Sequence, residues 1–109
     1  MKDRFVRVTI DRPMGSRHPE YPNMIYPVNY GFVEGVFAPD GEEQDVYILG
    51  LSAPVMQFEG KLIAIIHRLD DIEEKWVACP VGMQFTADEI RTAVAFAEQY
   101  FESRIELLQ

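Results

Sequence analysis

Eight of the chain's 18 acidic residues fall in two short stretches. Asp40, Glu42, Glu43 and Asp45 lie in "APDGEEQDV", and Asp70, Asp71, Glu73 and Glu74 lie in "LDDIEEK". Carboxylates this dense repel one another unless cations neutralise them, and hard oxygen donors of this kind suit Mg²⁺ or Mn²⁺ better than zinc. The spacing is not that of a calcium-binding EF-hand, because Gly41 stands second in the run and not sixth. A plainer account is that turns between strands carry charge for solubility, and either cluster taken alone fits it equally well. Together they border strands that are neighbours along the chain, so the two turns can face each other.

Groups able to meet an anion lie upstream. Tyr26 and Tyr30, in "YPVNYGF", can offer phenol hydroxyls and Asn29 an amide, although aromatics in a strand serve a core as readily. Arg17 and His18, in the glycine-bearing loop "GSRHPEY", supply either an anion contact or a solvated loop. Cys79 is the single cysteine. In the apolar run "WVACP" it reads as a buried reduced thiol, not a nucleophile, which points to a reducing compartment.

These residues need elements to position them. Residues 5–10 alternate Val6, Val8 and Ile10 with Arg7 and Thr9, the pattern of a half-buried strand. Pro13, Pro19, Pro22 and Pro27 rule out a helix over 13–27 and predict an extended, looping connection. An aromatic strand over 29–37, a Pro-Asp-Gly turn at 39–41 and an apolar strand over 46–49 come next. A β-branched run at 61–67 and a strand over 76–79 flank the second acidic turn. Thr86 and Glu89 have capping-box spacing, and Ile90, Val94, Ala97, Phe101, Ile105 and Leu108 recur at three and four residues. That period predicts one long amphipathic helix to the end of the chain. At least five short strands and then one helix give a mainly β (α+β) domain, a small barrel or strongly bent sheet with the helix packed on it.

With 109 residues, 48% of them hydrophobic, one domain over 1–109 can bury a core without disulfides or a structural metal. The net charge of -8 would repel the phosphates of nucleic acid, and there is no basic patch to override it. The longest apolar run, 62–66, is too short for a bilayer, and no signal-like segment opens the chain. The expectation is a cytoplasmic protein that engages neither nucleic acid nor membrane.

Together these pieces resemble the soluble family I inorganic pyrophosphatases. Residues 26–33, "YPVNYGFV", and 40–46, "DGEEQDV", look like that family's YPxNYGF strand and its D-G-D-P-x-D-V metal signature, in the same order and at similar spacing. Upstream, "DRPMGSR" over 11–17 is similar to its acidic residue, proline and G-S-R segment. Downstream, 70–80 is similar to its second acidic turn and K-x-V-A-x-P strand, and the last helix with Tyr100 also has a counterpart. The resemblance implies a five-stranded OB-like barrel that hydrolyses pyrophosphate with several Mg²⁺ ions, or Mn²⁺ in their place, in a homo-oligomer. It implies that Asp40, Glu42 and Asp45 bind metal, with Asp70 or Asp71 and Glu73 completing the cage. Glu42 or Asp45 would help deprotonate the attacking water, and Tyr30, Tyr100 and Lys75 would meet phosphate. Asp11 would reach the metals through water. Bridging metals fit such a reaction because they screen the polyanion and lower the pKa of bound water.

The chain also departs from that pattern. Glu42 stands where the family has aspartate, and Glu43-Gln44 replaces its Pro-Leu pair. The segment between Arg17 and Tyr26 is shortened and lacks the family's lysine and arginine, which leaves Arg17, His18, Glu20 and Tyr21 as substitutes. Phe101 stands where the family has a phosphate-binding lysine. Each lost charge-assisted contact costs on the order of 1.5 to 3 kcal/mol of substrate grip. Two further functions therefore stand beside hydrolysis of pyrophosphate: a metal- or phosphate-binding assembly module that has lost turnover, and a hydrolase of a larger phosphoanhydride.

Overall fold

The computed structural model describes residues 4–108; the domain expected over 1–109 includes residues 1–3 and 109, which lie outside the described residues. The elements follow in the order β1 (Phe5–Arg12), β2 (Asn29–Phe37), β3 (Glu43–Ile48), β4 (Gln57–Arg68), β5 (Glu74–Cys79), α1 (Ala87–Glu98) and β6 (Ser103–Leu107). The sheet runs β1-β2-β3-β5-β4, and β4 pairs back with β1, which closes the expected five-stranded barrel. Among the described residues no helix is long and apolar enough to cross a membrane.

β4 is long enough to serve more than one partner. Residues 57–61 pair with β1, 61–67 with β5, and 64–68 with β6. A bulge between Leu62 and Ala64 shifts its register against β5, which swaps the faces that its side chains occupy. Leu62 therefore packs with Val6, Val8, Ile10, Val46, Ile48, Phe58 and Ala78 in a core drawn from the ring's own strands. Ala64 and Ile66 pack on the other side, with Tyr30, Tyr47, Val77, Cys79 and the helix residues Ile90 and Val94. The first core fills the barrel, and the second lies between the barrel wall and α1.

The closeness of the ring explains one glycine of the "NYGF" stretch. A Cβ on Gly31 would sit 1.9 Å from the Thr9 carbonyl oxygen across the β1–β2 seam, so no side chain fits there. Asn29, fully buried, does not offer its amide to a ligand. Its Oδ1 accepts from the Met14 and Val55 N–H groups and its Nδ2 donates to the Ala53 carbonyl, tying two loops to the start of β2.

α1 begins as predicted. The Thr86 hydroxyl accepts from the Glu89 N–H and the Glu89 side chain accepts from the Thr86 N–H. Its end differs: the helix stops at Glu98 and the chain returns as β6. Arg104-Ile105-Glu106-Leu107 carries a two-residue alternation as well as a helical one, and the edge of β4 beyond β1 leaves backbone groups that only a strand can satisfy. Sheet pairing decides between the two periods. The proline-rich stretch also holds more order than expected. It folds back on itself through an Arg17–Ile25 bridge, with Gly15 N–H donating to Tyr26 O and Tyr26 N–H to Ser16 O.

Candidate active site

Both acidic turns lie at the same end of the sheet. The cause is the β3–β5 pairing, which is parallel and sets Val46 beside Trp76 and Tyr47 beside Val77. One residue earlier in each strand this register sets Asp45 beside Lys75. On the outer wall, every second residue then runs from charged to apolar: Asp45, Tyr47, Leu49 on β3 and its extension, and Lys75, Val77, Cys79 on β5. β4 runs the opposite way, so its last residue, Arg68, reaches the same charged end.

Lys75 is the junction. Its ammonium lies 3.0 Å from the Tyr30 hydroxyl, 2.7 Å from Asp45 Oδ2 and 2.8 Å from Glu73 Oε1. Three donors thus have three acceptors. Burial alone would lower the lysine pKa, but Tyr30, Asp45 and Glu73 outweigh it and raise it, so Lys75 stays charged. Burial raises the Tyr30 phenol strongly against the opposing pull of Lys75. Tyr30 therefore keeps its own proton and can donate it while its oxygen accepts from lysine.

Arg68 forms a second junction. Its Nε and Nη2 donate to the two oxygens of Glu98 at 3.1 and 2.8 Å, while Nη1 lies 3.3 Å from Glu73 and 3.7 Å from Asp71. The guanidinium also stacks 3.7 Å from the Phe101 ring centroid. Glu98 accepts from the Tyr47 hydroxyl at 2.6 Å, and Tyr47's pKa is raised by burial first and by the Glu98 charge second. Glu98 was absent from the sequence-based site. Its signal was a carboxylate on the stripe of Ile90 and Val94, one turn further along the buried face.

These groups open into a cleft of about 1230 Å³ between the barrel wall, the 18–26 loop and the end of α1. Arg12, His18, Tyr30, Arg68, Glu73, Lys75 and Tyr100 are among its lining residues. Arg12 donates to the Tyr26 hydroxyl at 2.7 Å and lies over the Tyr26 and Tyr30 rings. Its place between Asp11 and Pro13 gave no hint of this role.

Of the residues expected at the site, Tyr30, Lys75, Glu73, His18 and Tyr100 border the cleft, and Asp45 is bound to its wall through Lys75. Arg17 and Asp11 do not line it; Arg17 donates to the Pro22 carbonyl. Asp40 and Glu42 stay in the exposed turn, where Asp40 Oδ1 accepts from the Glu42 N–H. Gly41, at φ +88°, makes that turn possible. Glu43 is not free in solvent, because its carboxylate accepts from the Gly35 N–H. Asp70 accepts from the Glu102 N–H and Asp71 from the Glu73 N–H.

The expected cage of several Mg²⁺ ions does not fit this arrangement. Among the described residues no three side chains of the His, Cys, Asp or Glu type converge on one point. Asp45 and Glu73 both face Lys75, while Glu73 and Asp71 face Arg68. The two protein cations sit among the carboxylates that a metal ion would need.

The family model of inorganic pyrophosphatase matches residues 7–105. Among solved structures, the chain is similar to an inorganic pyrophosphatase from Coxiella burnetii, at 19% identity and a TM-score of 0.70, over 100% of this chain and 88% of that one. It is similar to one from Ehrlichia chaffeensis at 19% identity and a TM-score of 0.70, over 93% and 83%, and to one from Neisseria gonorrhoeae at 19% and 0.66, over 90% and 74%. Likeness at this identity speaks for the fold. No curated protein sequence matches the chain significantly. The family match starts within β1 and ends within β6, so it spans every strand of the barrel, both acidic turns and the helix that roofs the cleft. The chain therefore belongs to the inorganic pyrophosphatase family and, with it, to the inorganic diphosphatase enzymes.

Proposed function

We propose that this cleft hydrolyses inorganic pyrophosphate to phosphate. The observation that carries the reading is the Lys75 junction, where an ammonium, a phenol hydroxyl and two carboxylates meet at the wall of a cleft. Lys75, Arg12, Tyr30 and Tyr100 hold phosphate oxygens, and His18 adds a contact from the loop. Tyr30 donates its retained proton to a substrate oxygen, and Asp45, with Glu42 in support, takes the proton of the attacking water. Lys75 then faces the charge that develops as the anhydride opens. A divalent ion, Mg²⁺ or Mn²⁺, accompanying the pyrophosphate would supply neutralisation of the charge that the chain's own cations leave. Asp40, Asp70 and Asp71 lie in the two acidic turns at the charged end of the sheet and, like Asp11 and Arg17, do not line the cleft.

Phosphate release from pyrophosphate, with each metal in turn, tests this directly. Turnover well above that of Asp45→Asn supports it, and no release above that variant with either metal sinks it. A second reading, binding without turnover, is favoured by the full engagement of Lys75 in the resting state. Calorimetric phosphate binding with no release separates it from the first. The cleft also exceeds the roughly 300–1,000 Å³ of common small-molecule sites, so a panel of nucleotide anhydrides belongs beside pyrophosphate. Cytoplasmic residence and homo-oligomeric assembly complete the proposal, and sedimentation velocity checks the assembly.

A further inference from the structure

We infer that the outer edge of β6 pairs antiparallel with β6 of a second copy of this chain, about a two-fold axis through Ile105. The inference rests on the proposed homo-oligomeric assembly and specifies the surface behind it. β4 takes up one side of β6, and among the described residues no strand pairs with the other. The backbone groups left over follow from the bonds at the two ends of the pairing. Leu69 N–H donates to Glu102 O and Leu108 N–H to Ile63 O. In the register that sets Ile66 beside Ile105, the even-numbered residues of β6 therefore turn their backbone groups to β4. Those of Ser103, Ile105 and Leu107 point outward, where Arg91 Nη2 reaches the Ser103 carbonyl at 3.5 Å. An unpaired row of this kind is a template for another strand.

The side chains choose the partner and the register. A second β6 can use the outward row only if odd-numbered residues stand opposite odd-numbered ones. Centring the axis on Arg104 sets Arg104 against its own copy and Glu106 against Glu102, and centring it on Glu106 sets that carboxylate against itself. Like charges directly opposite are destabilising. Centring it on Ile105 sets Arg104 opposite Glu106 on both sides of the axis, so Ser103-Arg104-Ile105-Glu106-Leu107 is complementary to its own reverse, as an isologous contact requires. Arg104 and Glu106 are exposed, and Arg104 makes no ion pair among the described residues. His67 Nε2 lies 2.8 Å from Glu106 Oε1, which holds that carboxylate in place and leaves Oε2 for the second copy. α1 lies over β4 and β5 through Ile90 and Val94, inward of this edge.

The test is sedimentation velocity of the whole chain over a concentration series. Wild type is expected to pass from monomer to dimer as its concentration rises through the micromolar range. Arg104→Glu sets like charges opposite each other on both sides of the axis and is expected to raise the dimer dissociation constant about tenfold or more. Arg104→Glu combined with Glu106→Arg makes the strand self-complementary again and is expected to restore the dimer. Leu107→Pro removes one outward N–H while leaving the β4 ladder intact, so it is expected to fold and to weaken the dimer by a similar factor, about tenfold. Wild type that stays monomeric into the millimolar range overturns the inference, as does a folded double exchange that fails to restore the dimer. Self-association that Arg104→Glu and Leu107→Pro leave unchanged also overturns it, but leaves a homo-oligomer built on another surface standing. No arm involves turnover, so the hydrolase reading of the cleft survives any of these failures.

Discussion

The barrel interior and the outer wall beneath α1 are built from alternate residues of the same strands, yet they obey different rules. Inside, Val8, Val46, Ile48 and Ala78 are fully buried and contribute only apolar surface. Outside, β3 passes within a few residues from Leu49 through Tyr47 to Asp45, and β5 from Cys79 and Val77 to Lys75. The inner face is held by burial and close approach, which any loss of fit weakens. The outer face is held by packing at one end and by matched charges at the other, where breaking one partner costs more than the intact pair contributes. A two-residue period can thus specify a core on one side of a sheet and a graded active-site wall on the other.

The contrast can be broken from the inside first. Gly31→Ala forces a Cβ onto the Thr9 carbonyl oxygen and is expected to cost about 3 kcal/mol or more. Urea unfolding measures it, and a variant as stable as wild type would show that the seam can yield. Tyr30→Phe tests the outer wall by function. Losing one donor to the substrate is expected to lower kcat/KM for pyrophosphate about a hundredfold, well beyond the loss of about 1 kcal/mol of stability from leaving one Lys75 donor without its acceptor. Turnover per folded molecule that stays at the wild-type level would instead make Tyr30 a structural partner of Lys75 only.

Glu98→Gln probes where the two rules meet, on the helix side of the charged end. It leaves the Arg68 guanidinium short of its two-nitrogen partner, at a cost of about 2 kcal/mol. A shift in melting temperature of roughly 10 °C is expected, and an unchanged melt would show that Glu73 and Asp71 hold Arg68 unaided. The smallest effect belongs to Thr86→Ala, which removes one side of the capping box for about 1 kcal/mol. It lies far from the charged end in the helix, so pyrophosphate turnover per folded molecule should not move. A parallel loss of turnover would mean that the start of α1 helps to set the cleft.

Much of the barrel was legible because β1 carries its burial in strict alternation and β3 and β5 end in short apolar runs, and the helix start because Thr86 and Glu89 advertise themselves. The end of α1 was not, since Ile105 satisfies both a helical and a strand period and only the vacant edge of β4 chooses between them. The site was legible in kind but not in arrangement. Asp45, Glu73 and Lys75 could be singled out one by one, but their meeting depends on β3 and β5 lying parallel, which no local pattern declares. Arg68 lay beside an acidic turn without showing that it would enter it. Glu98 looked like an ordinary surface carboxylate until the face it shares with Ile90 and Val94 was buried.

The parallel β3–β5 pair also has a consequence for how the molecule is made. Asp45 and Lys75 are 30 residues apart, and the ring closes across β1 and β4 where Arg7 meets Glu59, 52 residues apart. Contacts of such separation form late, after local hairpins have appeared, and place the chain among the slower-folding topologies. The Lys75 junction cannot exist in a chain that has formed its β1–β2 or β2–β3 hairpin but has not yet brought β5 alongside β3. Ligand capture is thus a readout of completed topology: a chain released or stalled before the last strands dock has every residue of the site and no site.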